Sequence, residues 1–224
     1  MGLILNLETA TTNCSVSLAK NGSVIAIKEH NAPNYSHSEQ LHLFIQDCLK
    51  DAGCQMQDLD AVAVSKGPGS YTGLRIGVSA AKGLCFALGI PLISIATLKS
   101  MALQSKNIIQ DLVIPVLDAR RMEVYSCVYD VDLNEIRETR AEIIEENSFT
   151  DYLSGKKVHI VGSGAEKIQN TLNHENLSFD TRMVPSAREM AVLSHTKYEQ
   201  GKFEDVAYFE PYYLKDFILQ KAKK

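Results

Sequence analysis

The sequence has no Cys-x-x-Cys pair, no glycine-rich loop ending in Gly-Lys-Ser/Thr, no low-complexity segment and no excess of basic charge. Each absence excludes something. The five cysteines, Cys14, Cys48, Cys54, Cys85 and Cys127, are odd in number and irregular in spacing, so no structural zinc site is expected. Most of them lie in apolar runs, which favours reduced, buried thiols in a cytoplasmic protein. Without the lysine ending, the glycine-rich loop is not a Walker motif. The formal net charge of −4 argues against a protein that coats nucleic acid by itself, because backbone binding is driven by clustered Lys and Arg. A local basic patch, or RNA held through a partner, remains open. The apolar start, Met1 to Leu7, has no basic leader and no cleavage site, so it reads as a first strand. The apolar stretch from Leu74 to Ile95 is interrupted by Arg75, Lys82 and Pro91, and a helix followed by a strand explains it better than a membrane span.

What is present falls into alternating strands and helices. Leu3 to Leu7, Cys14 to Ala19 and Val24 to Ile27 read as a three-stranded meander, with Asn21-Gly22 supplying the tight hairpin turn. Ser36 and Glu39 have capping-box spacing. Leu41, Phe44, Ile45, Cys48, Leu49 and Ala52 then recur at helical intervals up to Gly53. Ala61 to Ser65 is a strand, Tyr71 to Leu88 a helix stopped by Gly89, and Pro91 to Ile95 another strand. From Leu112 the order starts again: strands at 112–117, 123–130 and 135–144, a short helix at 148–153, a strand at 158–161 and a helix at 165–172. A last helix is expected from Ser186 to Gln200, followed by an aromatic, extended segment and a basic tail. Two β-β-β-α-β-α lobes, 1–104 and 105–224, are the mark of the α/β actin-like ATPase (ASKHA) fold, in which related lobes face a cleft. The last residues are expected to pack back on the first lobe.

Four features are candidates for chemistry or binding. Glu8 ends the first strand, in Glu8-Thr9-Ala10-Thr11-Thr12. In nucleotide-binding proteins of this fold that turn carries an Asp and a Gly, and Ala10 restricts the positive-φ conformations that glycine tolerates. Phosphate or metal contact at Glu8, with Thr11 as a further anion or nucleotide contact, competes with a capped turn whose carboxylate is satisfied. Gly67-Pro68-Gly69-Ser70 leads into a helix N-terminus, where an anion is favoured. Gly67, Gly69, Ser70 and Arg75 are therefore candidate anion or nucleotide contacts, against a turn that needs glycine and is capped by Ser70 or Thr72. Asp118 ends the first strand of the second lobe at the matching place, and the adjacent Arg120 and Arg121 read as anion or RNA contacts or as solvated hairpin residues.

The fourth feature is the helix after the glycine loop. Gly73, Gly77 and Ala81 share one face, and Ala80 and Gly83 add further small residues. Each mid-helix glycine costs about 1 kcal/mol relative to alanine, so another backbone is expected close by. That backbone belongs to the first helix of the same lobe, to a helix of another subunit in an intersubunit bundle, or to both. The candidate partner face comprises Leu41, Phe44, Ile45, Cys48, Gly73, Ile76, Gly77, Ala80 and Ala81. His37 and His42 are separated by about 140° on an ideal helix, against metal binding by that pair, and no intrinsic metal site is expected.

The segments Leu7 to Thr11, Ser36 to Leu41, Gly67 to Gly77, Asp118 to Tyr125 and Pro211 to Leu214 together resemble the TsaB family, also called YeaZ. Glu8 stands where that family usually has Asp, and Arg121-Met122-Glu123 lacks a glycine that commonly follows the Met. The resemblance implies a non-catalytic protein needed for threonylcarbamoyl modification of adenosine beside the anticodon in tRNAs reading codons that start with A. It implies a heterodimer with the transferase TsaD through the two first-lobe helices, with the ATPase TsaE joining. A homodimer is expected when TsaD is absent, tRNA is reached through the complex, and ATP or ADP sits at most at the partner interface. TsaD carries a paired-histidine metal motif that this chain lacks. The competing expectation is an independent ATPase or metal-dependent peptidase of the same superfamily.

Overall fold

The computed structural model describes residues 2–32 and 37–214. Asn21 and Gly22 take φ of 52° and 79°, the paired left-handed conformation that matches the twist of a two-residue hairpin. They join β2 (Asn13–Lys20) to β3 (Ser23–Asn31), and β2 pairs antiparallel with β1 (Leu3–Glu8). Parallel pairing then adds β4 (Ala61–Gly67) and β5 (Leu92–Ala96), giving the order β3-β2-β1-β4-β5.

Helices α1 (His37–Asp51) and α2 (Tyr71–Leu88) lie on one face of this sheet. Leu41, Ile45, Cys48 and Leu49 of α1, with Val78, Ala81 and Cys85 of α2, pack on Leu5, Leu7, Val16, Leu18, Val62 and Val64. The Ser70 hydroxyl caps α2 by accepting from the Gly73 amide, and Gly89 ends it at φ 67°. Between the two expected caps, Ser70 is therefore the one used. Ser36, the expected cap of α1, and the tail lysines lie outside the described residues.

The second sheet repeats the first. Strands β6 (Leu112–Asp118), β7 (Glu123–Asp130) and β8 (Glu135–Ile143) form the meander, and β9 (Val158–Val161) and β10 (Leu177–Asp180) extend it in parallel. Its order, β8-β7-β6-β9-β10, is the same path. The fold is the actin-like α/β arrangement, and each unit continues past the expected six elements. In the first unit β5 is followed by α3 (Thr97–Gln104). In the second, after α4 (Thr150–Leu153) and α5 (Ala165–Thr171), β10 is followed by α6 (Ala187–Glu199).

The two last helices cross over. Leu98, Met101 and Ala102 of α3 pack on Val113, Leu117, Cys127 and Tyr129 of the second sheet. Ala187 and Met190 of α6 pack on Ile4, Ala61, Ala63, Ile93 and Ile95 of the first. After α6 the chain keeps to the first unit: Glu204 bridges to Leu92, and the Tyr212 amide donates to the Lys66 carbonyl at 2.7 Å. No helix among the described residues is long and apolar enough to cross a membrane.

Candidate functional site

The turn after β1 is a wedge set between the starts of α1 and α2. The Thr9 hydroxyl donates to the Gly73 carbonyl at 2.8 Å, and Nε2–H of His37 donates to the Thr11 carbonyl at 2.7 Å. The Ala10 carbonyl accepts from the Ser70 amide at 2.7 Å. The glycines of the second motif are the other half of this contact. A Cβ on Gly69 would lie 2.5 Å from the Ala10 carbonyl oxygen. One on Gly73 would lie 2.1 Å from the Thr9 carbonyl oxygen, and one on Gly77 would lie 2.3 Å from Thr9 Oγ1. Such approaches leave no room for a methyl group. The close neighbour that the glycine spacing calls for is therefore the chain's own first turn, and not the first helix or a partner's helix that the spacing led one to expect.

Two expectations are corrected by this geometry. The loop from Gly67 to Ser70 is not an open anion cradle, because Ser70 N–H is spent on Ala10, Gly73 N–H on Ser70 Oγ, and Gly69 sits against Ala10. Gly67 is needed for its φ of 109° and for the approach of the Tyr212 carbonyl, 2.9 Å from where its Cβ would be. The expected partner face is also turned inward for the most part. Leu41, Ile45, Cys48, Gly73, Gly77 and Ala81 are buried in this chain, while Phe44, Ile76 and Ala80 are half-buried at its margin. The solvent side of α1 carries Leu43, 57% exposed, and that of α2 carries Phe86, 84% exposed, with Ser79 and Gly83 also exposed on α2. Nothing lies within 4 Å of a Cβ built on Gly83. Phe86 was legible as an apolar residue off the buried stripe of its helix.

Glu8 lies directly behind the wedge, with no exposed surface. Its Oε1 accepts from the Ala10 amide at 2.7 Å, and Oε2 is buried without a hydrogen-bond partner. Burial raises its pKa to about 7, against the lowering pull of the Ala10 amide, the Ser65 hydroxyl and the Thr9 amide. Desolvation disfavours a charge here, as it does for any carboxyl removed from water. A carboxyl in this position stiffens the turn from inside; it is not presented to solvent.

The remaining candidates are spread apart. Thr11 caps its own turn, its hydroxyl accepting from Asn13 N–H at 3.3 Å. Arg75 points along the surface, stacked on Tyr71 at 4.2 Å with Nε donating to the Tyr213 hydroxyl at 3.2 Å. Asp118 pairs with Lys167 at 2.8 Å and accepts from the Arg120 amide. Among the described residues, no hydrogen bond or ion pair joins Asp118 to the first turn. Arg120 and Arg121 take φ of 71° and 50° in the β6–β7 turn. All five cysteines are free, and burial pushes the Cys14, Cys48 and Cys85 thiols up to about 11. Among the described residues, no group of three or more His, Cys, Asp or Glu could hold a metal ion.

Comparison with known proteins places this architecture. Residues 31–223 match the family model described as "TsaD: tRNA N6-adenosine threonylcarbamoyltransferase". The chain is 34% identical to the tRNA threonylcarbamoyladenosine biosynthesis protein TsaB of Escherichia coli, over 97% of this chain and 96% of that one. It is 30% identical to the protein of the same name from Haemophilus influenzae, over 97% and 95%. A crystal structure from Pseudomonas aeruginosa, described as an uncharacterized protein with similarity to peptidase YeaZ, superposes with a TM-score of 0.86 at 25% identity. It covers 96% of this chain and 100% of that one.

Proposed function

The chain belongs to the TsaB (YeaZ) family, and on that premise we propose that it serves tRNA threonylcarbamoyladenosine biosynthesis as a non-catalytic subunit that binds and supports the transferase TsaD. The docking surface is the solvent side of α1 and α2, centred on Leu43 and Phe86 and bordered by Phe44, Ile76 and Ala80. The observation that carries this reading is the exposure of Phe86, 84% open to solvent on a helix whose opposite side is packed. Aromatic anchors of this kind dominate the energetics of protein interfaces, and small neighbours such as Ser79 and Gly83 let a partner helix approach closely. The same reading has TsaE joining the pair, ATP or ADP at most at the partner boundary, tRNA held through the assembly, and a homodimer through the same face when TsaD is absent.

The inward-facing glycines cannot serve as the test positions. Gly77→Leu collides with Thr9 and tests the fold instead of the interface. Leu43→Asp/Phe86→Asp alters two exposed side chains, so its thermal unfolding is expected to match the parent. Co-elution with TsaD is expected to fall by about 30-fold or more in affinity, from a loss of about 2 kcal/mol or more at an anchor. Reconstituted tRNA modification is expected to fall with it. Co-elution at parental affinity would sink the assignment of this face.

A further inference from the structure

A chain with a net charge of −4 brings Lys66, Lys99 and Lys202 near enough to Lys197, which sits against the edge strand β5, for their charges to act on it. Lys66 stands at the end of β4, Lys99 on α3, Lys197 on α6 and Lys202 just beyond α6. The Lys197 Nζ donates to the Ser94 carbonyl of β5 at 2.7 Å, which draws α6 and its lysine onto that strand. The Lys202 amide donates to the Lys197 carbonyl at 3.0 Å. Lys66 lies 6.0 Å from the centre of the exposed Tyr212 ring. Among the described residues, none of the four pairs with a carboxylate within 4.0 Å. Glu204 is the acidic neighbour, and it accepts the Ser94 hydroxyl.

We propose that this edge, formed by Lys66, Lys99, Lys197 and Lys202, docks the phosphate backbone of tRNA. The inference rests on the pathway assigned above. Like charges held together on an acidic chain lower its own stability, so their convergence calls for an external anion. Burial, and then the positive charges of Lys66, Lys202 and Lys99, press Lys197 below its ordinary pKa against the opposing pull of Glu204. A row of phosphates would relieve that repulsion, and an exposed tyrosine at its border offers a surface for a sugar or base. The site reads charge and spacing, not sequence, since phosphate contacts position a nucleic acid without specifying its bases.

The test uses the full chain in complex with TsaD and a fluorescently labelled, unmodified tRNA transcript that reads a codon starting with A. The variant is Lys66→Glu/Lys99→Glu/Lys202→Glu, with a Lys→Gln version at the same positions in case charge reversal disturbs the fold. Lys197 is left in place because it holds Ser94. Both variants are expected to keep co-elution with TsaD and to bind tRNA at least about tenfold more weakly at physiological salt. The slope of log affinity against log salt is expected to flatten by about two to three, near 0.9 per lost phosphate contact. An unchanged affinity and slope, with the parent chain supporting modification, overturns this inference alone. A parent chain that supports no modification takes the pathway assignment down with it. Loss of TsaD or TsaE co-elution with tRNA affinity intact assigns the lysines to a protein contact and likewise overturns it.

Discussion

Glu8 holds one carboxylate oxygen on the Ala10 amide and leaves the other unpaired in the interior. Its pKa of about 7 in the folded chain stands above its ordinary value of 4.5, so the native state binds the proton more tightly than the unfolded one. Below pH 4.5 both states are protonated and Glu8 costs nothing, while between pH 4.5 and 7 stability falls as pH rises. At about 1.36 kcal/mol per unit, the full effect is about 3 kcal/mol. Glu8→Gln, which keeps the oxygen that Ala10 needs, is expected to remove that slope and to gain up to that amount at pH 8. Urea unfolding of both proteins from pH 4 to 8 measures it, and parallel curves would show that Glu8 is not held neutral. The wedge gives a second residue-level outcome. Gly77→Ala meets a side-chain hydroxyl, Thr9 Oγ1, whereas Gly73→Ala meets a main-chain carbonyl. Each is expected to cost about 1–3 kcal/mol, and Thr9→Ala is expected to rescue the first and not the second. Equal rescue in a double-mutant cycle would mean that the turn itself shifts.

Between elements, α6 is tied to the first sheet by polar groups as much as by apolar ones. Asn6 of β1, with no exposed surface, donates to Ser17 and accepts from Ser194 at 2.7 Å. Ser17 donates to the Ala187 carbonyl, Ser15 accepts from the Ala187 amide, and Asn13 donates to the Pro185 carbonyl. Ser194→Ala strands the Asn6 oxygen and is expected to cost about 1–3 kcal/mol. A change below about 0.5 kcal/mol in urea unfolding would mean that α6 is held by apolar contact alone. This seam explains what the sequence could and could not convey. The Asn21-Gly22 hairpin and the limits of α2 were legible because turn chemistry and caps are local. The alternation Ser15-Val16-Ser17-Leu18 marks a strand, but it does not say that its polar face is roofed by a helix far along the chain. Helix α3 went unread although Leu98, Met101 and Ala102 have helical spacing, because Thr97 and Ser100 are polar yet buried. Strand β10 is four residues at a sheet edge, too short for a period. The glycines of α2 announced a close neighbour without naming it, since Thr9 lies 64 residues before Gly73.

Over the whole molecule, the exchange of α3 and α6 makes each sheet depend on the other half of the chain. The first sheet's second face, Ile4, Ala61, Ala63, Ile93 and Ile95, is covered by Ala187 and Met190. The second sheet's Val113, Leu117, Cys127 and Tyr129 are covered by Leu98, Met101 and Ala102. A cut at residue 104 falls between sequence repeats, not between cores. The isolated fragment 1–104 would leave one sheet face bare, an apolar patch of the kind that drives aggregation, and 105–224 would do the same. Neither fragment is expected to unfold cooperatively, and the intact chain is expected to unfold in a single transition. Mixing the fragments is expected to restore the near-ultraviolet circular dichroism of the parent, because α3 and α6 can each return to the opposite sheet. A fragment 1–104 that melts cooperatively alone would mean that α1 and α2 stabilise the first lobe unaided. In that case the lysine edge, which needs α6 and α3 together on β5, could be loosened without loss of the TsaD-facing helices. If the exchange governs stability as argued, the two surfaces stand or fall together, and any variant that frees α6 should weaken both TsaD co-elution and tRNA binding in the same titration.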